Sequence, residues 1–483
     1  MPSTRKSITS GIIYTALSKY SGVIISILIT AVLARLLTPK EFGIIAIMMV
    51  FISFFRLLSD FGIGPAVIQN QNLTKDDIQS IFSFSILFGF ILAGLFYLFA
   101  PIISRFYNEP PLINIGKLLS LAILFYSFNV VPLSLNFKKL RFKQVGIISV
   151  VVQIITGSIA IFFAFKGFGY YALVIKAICD GLFIFIGNYI LSPVAFSLRI
   201  KRTSILKIAK FSSFQFLFNF INYFSRNADN LLIGKYFGAA PLGYYDKAYK
   251  LMMLPVSNLT HVITPVLLPV LSEFQDDKKR IYNAYIKVIK LLATIGFPLS
   301  IFLYFAAPEI VIIMFGHQWV ASIPVFKILA LTVGIQIVLS SSGSIFQSVN
   351  RTDLLFFSGF LSAIMMVAGI AYGVFIGKSL VSVGHGLMLA FVVNFFQGFY
   401  FLIKIALKHS LVSFLKSLFF PIVLSIGVAI PLWFISGYSF NSLIYAFLIK
   451  SLISFLSFSI IFFSLKGNRK LVYKKMNHLF FKR

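Results

Sequence analysis

The stretch GIIAIMMVFISFFRLLSDFGIGPA, residues 43–66, holds one arginine and one aspartate in an otherwise largely apolar sequence. A helix needs about 20 mainly apolar residues to cross the hydrocarbon core of a bilayer. The apolar residues here form a nearly continuous run instead of the one-sided stripe of a surface helix. The segment therefore predicts a transmembrane helix with two charges inside the span.

The same pattern recurs along the whole chain of 483 residues, of which 59% are hydrophobic and 12% are charged. Soluble domains are roughly 45–50% apolar and about 25% charged, so no soluble core could bury this much apolar surface. We predict an all-α integral membrane protein with about fourteen transmembrane helices. The predicted spans lie near residues 11–34, 43–66, 79–101, 112–135, 145–165, 168–191, 207–233, 242–270, 281–307, 321–341, 352–376, 383–405, 413–436 and 441–465.

Basic residues dominate the charge, with 43 Lys and Arg against 13 Asp and Glu. Such an excess can indicate nucleic-acid binding, but here the bases are scattered between apolar spans, which favours membrane topology and an anionic substrate. Alternate loops collect most of the bases, and the positive-inside rule makes those loops cytoplasmic. Both termini are therefore expected in the cytoplasm, in agreement with an even number of spans.

A short repeat divides the chain. Residues 35–43 (RLLTPKEFG) and 235–243 (KYFGAAPLG) both begin with a base, end with glycine, and follow the first helix of a six-helix block. Six is an even number, so the blocks would run parallel, as in transporters whose site lies between two halves. We predict an N-terminal lobe at 1–198, a cytoplasmic linker and second lobe at 199–410, and two further spans with a basic tail at 411–483.

Charged residues inside the spans are the candidate functional residues, because each costs about 2.5–3.5 kcal/mol at a helix centre unless it faces a cavity or a partner. Arg56 with Asp60 and Lys176 with Asp180 are each four residues apart and could neutralise each other. The remaining cations outnumber the carboxylates, which favours a wet cavity for a phosphate or pyrophosphate. The substrate-binding candidates are Lys19, Arg56, Arg226, Lys247 and Lys250, and the ion-coupling candidates are Asp60, Asp180 and Asp229.

Other chemistry finds no support in the sequence. Cys179 is the single cysteine, so an intramolecular disulfide and a cysteine-based metal site are excluded. We find no phosphate-binding glycine loop, no metal cluster and no catalytic constellation. The sequence therefore predicts neither an enzyme nor a cofactor, and it leaves open whether H⁺ or Na⁺ drives the protein.

Several segments together resemble a known family. The combination resembles the polysaccharide transporter (Wzx-like, colanic-acid-exporter-like) branch of the multidrug/oligosaccharidyl-lipid/polysaccharide flippases over roughly residues 5–405. The segments that carry the resemblance are ARLLTPKEFG (34–43), GFGYYALV (167–174), DNLLIGK (229–235), LGYYDKAY (242–249), PVLSEFQDD (269–277) and GHQW (316–319).

The resemblance implies two six-helix lobes that export undecaprenyl-pyrophosphate-linked repeat units across the bacterial inner membrane by alternating access. It matches Arg56 and Lys250 to the cavity cations of such flippases, and it places Asp229 and Lys235 in the family signature. It also implies a groove for the lipid tail in the last two spans. A polysaccharide polymerase and glycosyltransferases are the expected protein partners, and nucleic acid is not.

Two other functions stay open at this point. A small-molecule exporter of related fold would favour intramembrane carboxylates and aromatic walls over an excess of bases. A membrane polymerase or glycosyltransferase would be expected to have a large loop carrying Arg, His or acidic residues, whereas no loop here exceeds roughly fifteen residues.

Overall fold

The computed structural model describes residues 2–197, 200–201, 203–205, 223 and 226–464, with side chains from residue 18 onward except 261–266. Within these residues the chain forms helices, helical turns and loops, and no strand. The predicted seventh span (207–233) lies mostly outside the described residues, as do the linker bases Arg199 and Arg202 and the basic tail.

Contact between residues divides the chain into two compact units, Met1–Gly243 and Tyr244–Arg483. The predicted boundary after residue 198 remains a prediction. The described residues of the first unit form a helical segment at 226–237 and seven further helices. These are α1 (Pro2–Leu36), α2 (Pro39–Asp60), α3 (Ile63–Gln69), α4 (Lys75–Tyr107), α5 (Leu112–Lys138), α6 (Phe142–Phe165) and α7 (Tyr171–Leu191).

The second unit begins within α8, the helix at Ala239–Ser272, and adds a 3₁₀ turn at His317–Ser322 and π-helical turns at Tyr372–Ile376 and Tyr400–Ala406. Its other helices are α9 (Lys278–Phe305), α10 (Ala307–Phe315), α11 (Ile323–Ser340), α12 (Ser342–Ser348), α13 (Thr352–Ala371), α14 (Leu380–Phe399), α15 (Leu411–Ser436) and α16 (Leu443–Ser464).

Twelve helical stretches in the described part of the chain are long and apolar enough to cross a membrane. They correspond to twelve of the fourteen predicted spans, and the predicted eighth span corresponds to α8. The all-α membrane fold is therefore confirmed, although the count of fourteen is not. Helix ends run beyond the predicted ones because apolar windows do not include the polar turns that cap a helix.

Local sequence explains where α2 and α4 begin. Thr38 accepts a hydrogen bond from the Glu41 amide, while Glu41 accepts one from the Thr38 amide at 2.7 Å. Thr74 and Asp77 form the same reciprocal capping box at the start of α4. These boxes satisfy backbone donors that a helix start would otherwise expose.

The linker between the predicted lobes lies against the start of α4. Ser204 donates a hydrogen bond to Asp77 at 2.6 Å, and Lys201 forms an ion pair with Asp76 at 2.8 Å. The hydrogen bond to Asp76 raises the pKa of Lys201 above its ordinary value. Lys201 therefore keeps its charge throughout the physiological range, and Lys201 and Ser204 are both held at the start of α4.

The two repeat segments contact each other reciprocally within the first unit. A Cβ atom at Gly43 would overlap the carbonyl of Ala239, and a Cβ atom at Gly243 would overlap the carbonyl of Pro39. Since 43 corresponds to 243 and 39 to 239 in the repeat, each segment contributes the same two positions. Such a self-complementary contact is typical of two-fold symmetry, and it gives the repeated glycine a packing reason.

Gly43→Ala and Gly243→Ala should each destabilise the protein, because no side chain fits between the two backbones. Overpacking of this kind costs roughly 1–3 kcal/mol, so we expect a lower apparent melting temperature in detergent. Gly94→Ala is the control, since a Cβ at Gly94 would meet no atom within 4 Å. An unchanged melting temperature for both repeat variants would contradict the reciprocal contact.

A buried ion pair holds the last helix to the second unit. Lys450 on α16 donates to the Glu309 carboxylate on α10 at 2.6 Å and to the Phe305 carbonyl at 2.9 Å. Both charged side chains are less than 10% exposed. Apart from this contact, most of α16 is poorly buried. The pair therefore fixes one register of α16 against α10, as buried polar contacts do in other helical assemblies.

Glu309→Met alone and Lys450→Met alone should each destabilise the protein by about 3–5 kcal/mol, because each leaves one buried charge without its partner. The double variant should recover most of that loss. Thermal unfolding in detergent would measure all three proteins, with Lys201→Met as an exposed-pair control expected to change stability by less than about 1 kcal/mol. A double variant as unstable as the sum of the single variants would contradict this.

Candidate functional site

A cavity of about 320 Å³ lies between α2, α3 and α5 in the first unit. Its polar lining consists of Arg56, Asp60, Tyr126, Asn129 and Ser134. The surrounding helices are all among the membrane-spanning stretches. The remaining lining is apolar, but these five side chains give the cavity groups that can bind water or an ionic ligand.

Arg56 is exposed although it lies inside a membrane span. Its guanidinium carbon stacks on the ring of Tyr126 at 4.6 Å from the ring centroid. No hydrogen bond or ion pair to Arg56 occurs among the described residues. Since an arginine facing lipid would be strongly unfavourable, the exposed side of Arg56 is expected to face water.

Asp60 does not pair with Arg56. Its Oδ1 accepts a hydrogen bond from the Gly64 amide at 3.0 Å, and this bond ties the end of α2 to the start of α3. The chain turns between these helices through Phe61 and Gly62, both with positive φ. The direct Arg56–Asp60 ion pair that their spacing allows is therefore not formed among the described residues.

Asp180 belongs to a second polar group beside the cavity. Its carboxylate accepts hydrogen bonds from Lys176 at 2.5 Å and from the Thr156 hydroxyl. The pairing of Lys176 with Asp180 suggested by their spacing is thus present. The next residue, Gly181, lies against Tyr126, because a Cβ there would be 3.5 Å from the tyrosine ring.

Asn129 lines the cavity and is one end of a chain of buried, hydrogen-bonded side chains. Asn188 donates to Asn129 at 3.0 Å, Asn136 donates to Asn188 at 3.2 Å, and Ser192 donates to Asn136 at 2.9 Å. All four residues are buried. Buried amides with satisfied partners are rigid, so this network holds α5 and α7 together below the cavity.

Three other candidates of the first unit do not line this cavity among the described residues. Lys19 is half-buried on α1, and Arg226 is exposed in the 226–237 segment. Asp229 is buried, and its Oδ1 accepts a hydrogen bond from the Asn230 amide at 2.8 Å. Their assignment as substrate or ion ligands stays a prediction.

Lys247 and Lys250 lie in different environments although they are three residues apart on α8. Lys247 is 2% exposed, with its ammonium 5.7 Å from the ring centroids of both Phe315 and Trp319. Lys250 is exposed and forms an ion pair with Asp246 at 2.8 Å. The two lysines therefore differ in burial and in their contacts, and a direct role of either lysine in substrate binding stays a prediction.

The second unit contains a larger cavity of about 570 Å³ between α9, α11, α14 and α15. Its lining is almost wholly apolar, with Ser300 and Ser425 as the hydroxyl-bearing residues. The predicted groove in the last two spans agrees with this cavity for α15, although α16 does not contribute to the lining. An apolar cavity among membrane helices suits a hydrocarbon chain.

Several functional candidates escaped the sequence analysis. Asp246 precedes Lys250 by four residues, a spacing that predicts the observed pair. Glu309 and Lys450 each interrupt an apolar run, which is a signal that was present in the sequence. No sequence signal marked Tyr126, because aromatic residues make up 17% of the chain. Its contact with Arg56 depends on how two helices pack.

Comparison with known proteins agrees with this geometry. Residues 32–324 match the family described as "Polysaccharide biosynthesis protein". The chain belongs to this family. The resemblance to a polysaccharide family seen in the sequence motifs is thereby confirmed.

Relatives of this polysaccharide biosynthesis protein match along most of their length. The teichuronic acid biosynthesis protein TuaB of Bacillus subtilis is 25% identical over 449 residues, covering 89% of each chain. The lipopolysaccharide biosynthesis protein WzxC of Escherichia coli is 27% identical over 437 residues, covering 88% of this chain and 86% of that protein.

Solved structures share the fold. The lipid II flippase MurJ in an inward closed conformation superposes with a TM-score of 0.75 at 14% identity, covering 95% of this chain and all of that one. An inward-facing multidrug resistance transporter of the MATE family gives 0.60 at 16% identity, covering 80% of this chain and 95% of that one. At these identities the likeness concerns the fold alone.

The water-facing position of Arg56 can be tested by thiol labelling in nanodiscs, with Cys179 replaced by alanine. Arg56→Cys should react with a charged methanethiosulfonate reagent because the cavity is wet. Leu98→Cys should not react, since Leu98 is 70% exposed but lies on an apolar surface where a thiolate does not form. Equal labelling of both positions would show that Arg56 does not face a water-filled cavity.

Proposed function

We propose that this protein is a flippase that moves undecaprenyl-pyrophosphate-linked oligosaccharide repeat units across the cytoplasmic membrane by alternating access. The observation that supports this most is Arg56. Arg56 is an exposed arginine inside a span, and it has no carboxylate partner in the described part of the chain. The chain that carries it belongs to a polysaccharide biosynthesis family. Membership of a transporter family also makes the protein a carrier and not an enzyme.

The chemistry of the arginine suits the proposed headgroup. A guanidinium presents a planar fork of N–H donors that matches phosphate oxygens. A hydrogen bond of this kind is charge-assisted and therefore roughly twice as strong as one between neutral groups. A pyrophosphate therefore offers Arg56 the anionic partner that Asp60 and Asp180 do not provide.

The relatives favour recognition of the carrier over recognition of the sugar. TuaB is named for teichuronic acid and WzxC for lipopolysaccharide, and these polymers differ. A feature shared by such substrates would be the pyrophosphate and its lipid. We therefore propose that the cationic cavity binds the headgroup and that the apolar cavity between α9, α11, α14 and α15 accepts part of the tail.

The remaining assignments belong to the same proposal. Both termini lie in the cytoplasm, which puts the loop between α5 and α6 on the cytoplasmic side, where Lys138, Lys139 and Arg141 accumulate as the positive-inside rule requires. Asp60, Asp180 and Asp229 are candidates for H⁺ or Na⁺ coupling. Polymerase and glycosyltransferase partners would supply and consume the lipid-linked repeat unit.

Small-molecule export is a weaker reading. A transporter for cationic compounds needs an accessible carboxylate in its cavity. Here Asp180 is engaged by Lys176 and Thr156, and Asp60 gives one of its two oxygens to the Gly64 amide. Arg56 is the charged group of the cavity that has neither a hydrogen bond nor an ion pair among the described residues.

Reconstituted proteoliposomes provide the test. Arg56→Gln should lower the rate of translocation of an undecaprenyl-pyrophosphate-linked oligosaccharide by about tenfold or more, since losing a hydrogen bond to a charged group costs about 1.5–3 kcal/mol. Translocation would be followed by enzymatic modification of the sugar that reaches the far side. Lys166→Gln, which removes a loop charge, is the control and should leave the rate unchanged.

A wild-type rate for Arg56→Gln at equal reconstitution would overturn the assignment of the cavity. Failure of the wild-type protein to translocate any undecaprenyl-pyrophosphate-linked oligosaccharide would overturn the proposed function itself.

A further inference from the structure

We infer that Tyr126 is a positioning residue that keeps Arg56 available to a phosphate by holding its guanidinium away from Asp60. This inference rests on the proposed function, because it concerns the same cavity. Tyr126 need not touch the substrate, since it acts through the arginine.

The geometry of the stack leaves the donors of Arg56 unused. The guanidinium carbon lies 4.6 Å from the centroid of the Tyr126 ring. In this arrangement the ring attracts the cation through its face, whereas the five N–H groups of the guanidinium point outward in its own plane. The stack therefore fixes the position of the cation without occupying the fork that would bind phosphate.

Without the ring, Asp60 would compete for the same cation. Arg56 and Asp60 are four residues apart on α2, a spacing at which opposite charges pair. Asp60 uses Oδ1 to accept from Gly64, and its Oδ2 has no hydrogen bond among the described residues. Both side chains line the same cavity, so an Arg56 released from the ring could turn toward this carboxylate and form an internal ion pair. That pair would neutralise the cavity.

The second carboxylate cannot capture Arg56 in the same way. Asp180 is held by Lys176 and by the Thr156 hydroxyl. Its neighbour Gly181 packs beside the Tyr126 ring, which limits the space into which the ring could turn. The ring is thus fixed between α2 and α7, and Arg56 is fixed on the ring.

The test measures binding of undecaprenyl pyrophosphate to the full-length protein in nanodiscs. Binding is measured instead of transport, so a role of Asp60 in ion coupling does not affect the result. Tyr126→Leu should weaken binding about tenfold, a change within the range of a desolvated cation–π contact, and Tyr126→Phe should bind like the wild type. Tyr126→Leu combined with Asp60→Asn should bind within about twofold of Asp60→Asn alone, because no carboxylate is left to capture the arginine.

Two variants separate this mechanism from a general structural effect. Tyr97→Leu removes a similar stack in the same unit, that of Lys117 at 5.1 Å, and should not alter binding. A double variant that binds as weakly as Tyr126→Leu, or a Tyr126→Leu protein that binds like the wild type, would overturn the inference. If Arg56→Gln itself binds like the wild type, the proposed site fails, and the outcome concerns the function and not Tyr126.

Discussion

The cost of placing a charge in hydrocarbon governs this structure. An unpaired ion inside a bilayer is unfavourable by several kcal/mol, so every charged residue within the spans needs a partner, an aromatic face or water. The structure uses all three solutions. Glu309 and Lys450 pair in a dry interior, Lys247 lies against Phe315 and Trp319, and Arg56 combines the Tyr126 ring with an open cavity.

These solutions have different consequences for function. Both side chains of the Glu309–Lys450 pair are less than 10% exposed, so the pair holds α16 in one register against α10. The Tyr126 stack is open on one side, so the cation it holds can still accept an anionic partner. The two arrangements therefore differ in the solvent access of the charge they hold.

The buried polar residues around the cavity also differ from Arg56, because internal hydrogen bonds satisfy them. The amide chain from Asn129 to Ser192 is satisfied by internal hydrogen bonds and holds α5 against α7. Capping by Asp60 holds α3 against the end of α2. The frame is therefore rigid through neutral and capped groups, while the charge of Arg56 remains uncompensated within the described residues.

The sequence by itself determined the fold class, because the length and continuity of the apolar runs depend only on the thickness of the bilayer. It also determined the repeated glycine, which the structure explains by the contact of Gly43 and Gly243 with opposite backbones. Local spacing predicted the Lys176–Asp180 pair correctly, since those residues meet within one helix.

Only the tertiary structure decided which charges are free. Spacing alone would also pair Arg56 with Asp60, but a ring from α5 and an amide from α3 compete for the two side chains. Spacing alone would place Lys247 and Lys250 together, but packing against Trp319 buries one of them. Glu309 and Lys450 meet across 141 residues of sequence. Such contacts depend on how helices pack, and a pattern along one helix does not contain that information.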